Sequence, residues 1–235
     1  MPTTDTSEYG LESLIVETLT GKRAKSSAHG DVSTVDENIA LYGNDVYVLG
    51  HPKDYDRDHA VDLVQLQRFV SATQPEAYEA LGLDEDSPRR TQFLHRLQGE
   101  VARRGVIDVL RHGVKHNAVS LDLFYGTPTP GNVRAAQCFA ANVFSVTRQL
   151  HYSKDDTQLA LDLCLFINGL PVVTFELKNR LTKQTVEDAV QQYRRDRDTK
   201  ELLFQFGRCM VHFAVDDQEV RMCTHLKGKD SWFLP

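Results

Sequence analysis

Two apolar runs separated by Asn168-Gly169 constrain this chain more than any other feature. The segment LDLCLFINGLPVVTFELKN, residues 161–179, carries enough β-branched and aromatic residues for two buried strands with a turn between them. The spacing predicts strands over 159–167 and 172–177. Within it, Asp162 sits on the first strand, and Glu176 and Lys178 lie on and just beyond the second. Side chains alternate along a strand, so Glu176 and Lys178 share a side and Leu177 between them points to the other. Charged groups in so apolar a setting are costly unless they are paired or hold an ion.

Two carboxylates and a lysine in this arrangement suit a divalent-metal site. Asp162 and Glu176 offer hard oxygen ligands, the Leu177 carbonyl a third, and water with a phosphate oxygen complete the near-octahedral shell that Mg²⁺ prefers. A metal held there would polarise a phosphodiester, with Lys178 orienting the attacking water and stabilising developing charge. Register sets a condition on this reading. Asp162 stands opposite Glu176 only if the turn has an odd number of residues, three or five, or if a bulge restores the phase after a two-residue turn.

Around this segment the hydrophobic period changes from 3.6 to 2. Upstream, helices are expected over 8–19, 60–73 and 75–81, and from Pro88 to 104 with Ser87 as N-cap, followed by a shorter turn ending at Gly113. Residues 22–59 read as an irregular insertion with a small hairpin at 45–49. Downstream, strands are expected at 118–125, 144–152, 209–215 and 219–224, with helices at 132–142 and 185–197. The fold class is α/β: a mixed central sheet flanked by helices. Residues 1–115 are read as a mainly helical portion packed on a core formed by 116–235.

Charge is distributed unevenly. Residues 1–88 hold 6 Lys and Arg against 17 Asp and Glu, a local charge of −11; the remainder holds 21 against 16, a local charge of +5, within a total of −6. From Arg89 to His116 there are Arg89, Arg90, Arg96, Arg103, Arg104, Arg111 and Lys115 against Glu100 and Asp108. The four cysteines show no C-x-x-C pairing, and His112, Lys115, His116 and His151 lack regular ligand spacing. No apolar run is long enough for a bilayer and the N-terminus lacks a signal pattern, which gives the expectation of a cytoplasmic protein without membrane contact.

Asp162 followed by Glu176-Leu177-Lys178 resembles the PD-(D/E)xK nuclease pattern. The wider text, LRHGVK at 110–115, TRQLHYS at 147–153, TVEDAVQQYRRDRD at 185–198 and QFGRCMVHFAVDDQEVRMCTHL at 205–226 with the closing FLP, is similar to the N-terminal nuclease domain of type I restriction endonuclease R subunits. The resemblance implies a restriction-endonuclease-like core and Mg²⁺-dependent cleavage of double-stranded DNA, in a complex with methylation (M) and specificity (S) subunits. It implies metal binding by Asp162 and Glu176, catalysis by Lys178, and assistance from Glu12 on the first helix. Family members often carry Gln-x-x-x-Tyr on the helix after the lysine. Here that spacing is absent, leaving Gln191, Gln192 and Tyr193 as assisting candidates, while Arg180, Lys183, Arg194, Arg195 and Arg197 are placed to meet phosphate. ATP is implied only through a downstream helicase-like motor; the sequence has no G-x-x-x-x-G-K-[ST] loop and is read as a fragment lacking that motor. Two other readings stay open: a different PD-(D/E)xK nuclease acting in repair or transposition, and a noncatalytic DNA-binding or assembly module whose Asp162, Glu176 and Lys178 form only an internal network.

Overall fold

The computed structural model describes residues 8–21 and 47–235. Helix α1 (Glu8–Thr20) is followed, after the undescribed insertion, by β1 (Val48–Leu49), then the small antiparallel pair β2 (Tyr55–Asp56) and β3 (Val61–Asp62). Helices α2 (Leu63–Thr73), α3 (Pro75–Leu81), α4 (Pro88–Arg104) and α5 (Val106–His112) come next. The remaining elements are β4 (Val114–His116), β5 (Val119–Leu121), α6 (Val133–Ala140), β6 (Phe144–His151), β7 (Ala160–Ile167), β8 (Leu170–Leu177), α7 (Val186–Arg195), β9 (Val211–Val215) and β10 (Val220–Cys223).

The central sheet is six-stranded and mixed, in the order β1-β6-β7-β8-β9-β10. β1 is parallel to β6 and β8 to β9, and the other neighbours are antiparallel. One face carries Val146, Leu163, Leu165, Val173, Leu177 and Val215, which pack with Val16 of α1 and the apolar stripes of α2, α4 and α5. Those stripes are the 3.6-period positions Leu66, Phe69, Val70 and Phe93, Leu97, Val101. The other face carries Cys164, Phe166 and Ala214 against Val186, Ala189, Val190 and Tyr193 of α7. The sheet is thus covered on both faces, the arrangement that near-continuous apolar strands require. Among the described residues no helix is long and apolar enough to cross a membrane.

Several local expectations take a different form. Val48 and Leu49 form no hairpin of their own but pair in parallel with Ser145 and Val146; residues 22–46 lie outside the described residues. The helix expected from Ala60 begins at Leu63, because the Asp62 side chain accepts the Gln65 N–H at 3.1 Å as an N-cap. The strand expected over 118–125 shrinks to Val119–Leu121, paired with β4. Beyond it the Gln74 side chain satisfies the Asp122 backbone from both sides, at 2.8 and 2.9 Å, in place of a strand partner. Ser87 does cap α4, accepting the Arg90 N–H at 3.2 Å.

Candidate functional site

The β7–β8 hairpin closes through the two-residue turn Asn168-Gly169. Both residues have positive φ, 51° and 84°, as a type I′ connection demands. Asn168 is fixed by its side chain, which accepts the Val143 N–H at 2.6 Å and donates to the Leu123 carbonyl at 2.8 Å. Gly169 lies against the start of α2, where a Cβ would strike the Asp62 carbonyl and come within 2.7 Å of the Leu66 nitrogen.

Such a turn by itself would send Asp162 and Glu176 to opposite faces. The ladder pairs Ile167 with Leu170 and Phe166 with Pro171, then shifts, pairing Leu165 with Val173, Cys164 with Thr174 and Leu163 with Phe175. Val172 is therefore a bulge residue, and the corrected register carried one step further sets Asp162 opposite Glu176. Of the two geometries that satisfy the register condition, the chain uses the bulge.

Asp162 is half-buried, and its Oδ2 accepts the Leu177 N–H at 2.7 Å. Its other oxygen meets the Gln149 side-chain amide at 3.4 Å. That same amide nitrogen donates to Glu12 Oε2 at 2.8 Å, and Arg148 clasps Glu12 Oε1 while donating to Ser13 at 3.1 Å. Glu12 is accordingly buried, at 4 % exposure, and tied through Gln149 to Asp162. Gln149 lies opposite Asp162 in the β6–β7 register and is held at φ 46°, an uncommon backbone for a residue within a strand.

Glu176 is fully buried. Its Oε1 pairs with Arg197 at 2.5 Å, and Arg197 also donates to the Tyr152 hydroxyl at 3.1 Å and the Ala160 carbonyl at 2.8 Å. Among the described residues Glu176 Oε2 has no hydrogen-bond partner. Burial raises the Glu176 pKa to about 7; Arg197 opposes this, the nearby Asp162 carboxylate adds to it, and Lys178 opposes it weakly. Burial works against the charge of Arg197 too, but the Glu176 pair overcomes it and holds the guanidinium charged. Lys178 is half-buried just past β8, its N–H bonded to the Val215 carbonyl at 2.8 Å, so it stands where the chain leaves the sheet beside β9.

The remaining predicted residues scatter around this centre. Leu177 is buried at the end of β8. Tyr193 is fully buried, its hydroxyl 2.8 Å from Thr174 Oγ1, which in turn meets His212 Nδ1 at 2.7 Å. Gln191 donates to Glu187 at 2.8 Å on the outer side of α7, and the half-buried Gln192 accepts the Asp196 N–H through its backbone. Arg180 pairs with Asp216 at 2.9 Å, and Asp216 also accepts the Val186 N–H, anchoring the first turn of α7. Lys183 is exposed at the end of a 3₁₀ turn, Arg194 donates to the Ser231 carbonyl at 3.0 Å, and Arg195 is exposed. Arg197 departs from the phosphate-contact expectation: beyond the end of α7 the chain turns its guanidinium inward onto three acceptors. Gln149, Arg148 and Tyr152 carry no sign of a site role in the sequence, although all three lie in the TRQLHYS stretch.

Among the described residues no three His, Cys, Asp or Glu side chains gather closely enough to hold a metal by themselves. Two facing carboxylates remain, one of them with an orphaned buried oxygen, which is the donor chemistry of a hard cation whose other ligands come from backbone and solvent. The family model described as the type I restriction enzyme R protein N terminus matches residues 101–231, which takes in every residue of this centre except Glu12 and Ser13. A putative type I restriction enzyme MjaIXP endonuclease subunit from Methanocaldococcus jannaschii is 24% identical over 138 residues, covering 59% of this chain and 13% of that protein. This chain belongs to the type I restriction enzyme R protein N-terminal family.

Proposed function

We propose that this chain is the DNA-cleaving part of a type I restriction R subunit, a PD-(D/E)xK nuclease hydrolysing phosphodiester bonds with Mg²⁺. Residues 116–235 form its nuclease core and residues 1–115 pack on that core. The observation that carries the reading is the bulge-corrected hairpin, which sets Asp162 opposite a buried Glu176 whose second oxygen is unbonded.

Asp162 and Glu176, with the Leu177 carbonyl, would hold the ion, which supplies Lewis-acid activation of the phosphate and of an attacking water. The protein's own part is orientation. The Leu177 N–H fixes one Asp162 oxygen, and Gln149, braced by Glu12, steadies the other. Arg197 holds Glu176 by one oxygen and leaves the second to the ion. The Lys178 ammonium orients the water and offsets negative charge building on the phosphate. Arg180, Lys183, Arg194 and Arg195 contact phosphates, and Gln191, Gln192 and Tyr193 assist, Tyr193 by supporting the buried side of the centre. M and S subunits, and ATP consumed by a motor outside these residues, would deliver double-stranded DNA to it.

A second reading follows from the buried Glu176–Arg197 pair: a noncatalytic module in which the acids form a structural network. Lys178→Ala separates the two because it leaves that pair intact. In the assembled complex the nuclease reading predicts a folded variant with ATPase and assembly preserved and DNA cleavage abolished. Unchanged cleavage, or loss of folding, supports the structural network instead.

A further inference from the structure

Helix α4 carries arginines at a spacing of seven. Arg89, Arg96 and Arg103 repeat in a heptad, so they drift by only about 20° per step and line one side of the helix. All three are exposed, with 51% of the Arg96 side chain and 67% of the Arg103 side chain open to solvent. Two of them share a single carboxylate: Glu100, whose side chain is 5% exposed, bonds Arg96 at 3.0 Å and Arg103 at 2.7 Å. Glu100 also meets Arg104 at 3.3 Å, and Arg104 meets Asp108 at 2.6 Å, so acids and bases alternate at i,i+4 along this stretch. Arg96 and Arg103 stay more than half exposed while held by that one acid, which leaves further guanidinium donors open to solvent. Arg96 also donates to the Lys115 carbonyl at 3.3 Å, which sets the exposed Lys115 beside the stripe.

A second observation lies between the arginines. Gly99 is three residues after Arg96 and four before Arg103, in the interior of a seventeen-residue helix. A Cβ there would meet nothing within 4 Å, and its backbone is not left-handed. Packing and turn geometry therefore give no reason for a residue that weakens a helix by roughly 0.5–1 kcal/mol relative to Ala. A flat, side-chain-free spot flanked by two tethered guanidiniums suits the close approach of another molecule's backbone.

We infer that Arg89, Arg96 and Arg103, with Gly99 open between them and Lys115 alongside, form a stripe that holds the sugar-phosphate backbone of double-stranded DNA. Successive arginines stand about 10.5 Å apart along the helix, a row of positive charge facing a duplex that carries one negative charge per roughly 1.7 Å of its axis. The Glu100 tether orders Arg96 and Arg103 before binding, which lowers the entropy cost of engaging the duplex. The inference rests on the reading of duplex DNA as substrate, and it adds a positioning surface outside the β7–β8 hairpin.

The test is a fluorescence-anisotropy titration of the full chain with a short labelled DNA duplex, in EDTA, over a series of salt concentrations. Arg89→Gln/Arg103→Gln should bind several-fold more weakly, with the slope of log affinity against log salt reduced by about 1.8, or roughly 0.9 for each phosphate no longer neutralised. Arg89→Lys/Arg103→Lys should restore the slope. Gly99→Leu, which alters no charge and improves helix propensity, should also weaken binding several-fold while raising the melting temperature. Unchanged affinity and slope in the Gln variant, or full affinity in Gly99→Leu, overturns the stripe; so does the absence of duplex binding by the wild type at low salt. Cleavage with Mg²⁺ is read separately: a slope reduced as expected, without any cleavage by the assembled complex, would overturn the nuclease reading and leave the stripe standing.

Discussion

At the scale of single residues, the centre depends on how each carboxylate is held. Arg197→Leu would leave Glu176 buried and uncompensated, a change expected to cost about 3–5 kcal/mol and to show as a lower urea midpoint. The raised pKa of Glu176 makes a prediction of definite sign. Folded protein without metal binds this proton more tightly than unfolded protein, so the associated stability is present below the ordinary 4.5 and is lost as pH rises through about 7. The difference in urea midpoint between wild type and Glu176→Gln should therefore fall across that window in EDTA. His212, lowered by burial to about 4, titrates alike in both proteins and cancels. A difference that stays flat with pH would contradict the assignment. The facing of Asp162 and Glu176 was legible in the sequence as a condition on register, because acids on apolar strands must pair or hold an ion. Arg197 was not, since an arginine near the end of an amphipathic helix gives no local sign of turning inward. Gln149 was equally silent, since nothing local to a strand residue of this type signals a positive φ.

At the scale of elements, the hairpin decides whether the site exists. Its existence could be read from two apolar runs around Asn168-Gly169, and parity alone required either an odd turn or a bulge. The choice between them was not legible, because it depends on Asn168 bonding Val143 and Leu123 from outside the hairpin. Deleting Val172 removes the bulge but leaves Leu165 opposite Val173 and Asp162 opposite Glu176, so the variant should fold and keep cleavage in the assembled complex. Lost cleavage by a folded deletion variant would mean that the bulge itself, and not the register, aligns the acids. Gly169→Ala should destabilise the protein by about 1–3 kcal/mol, measurable in thermal melting, since it combines positive φ with a clash against the start of α2 at Asp62 and Leu66. The helices α2, α3 and α4 were visible from periodicity and from the Ser87 cap. The parallel pairing of β1 with β6 was not, because a two-residue strand carries no periodic signal and its partner lies nearly a hundred residues away.

At the scale of the molecule, the sheet is a divider: α1 and the acidic helical portion lie on one face and α7 on the other, with the paired acids at the end of the β7–β8 ladder. Glu12 reaches this centre from α1 and Arg197 from beyond α7, so both layers converge on the same two strands. A net charge of −6 says little about DNA, since it sums a local −11 over residues 1–88 and +5 over the rest of the sequence. The most direct measurement is a Mn²⁺ titration followed by electron paramagnetic resonance, with duplex DNA present and above neutral pH so that Glu176 is ionised. The account predicts a saturable site in the wild type that is lost in Asp162→Asn and retained in Lys178→Ala; equal Mn²⁺ uptake by wild type and Asp162→Asn would contradict it.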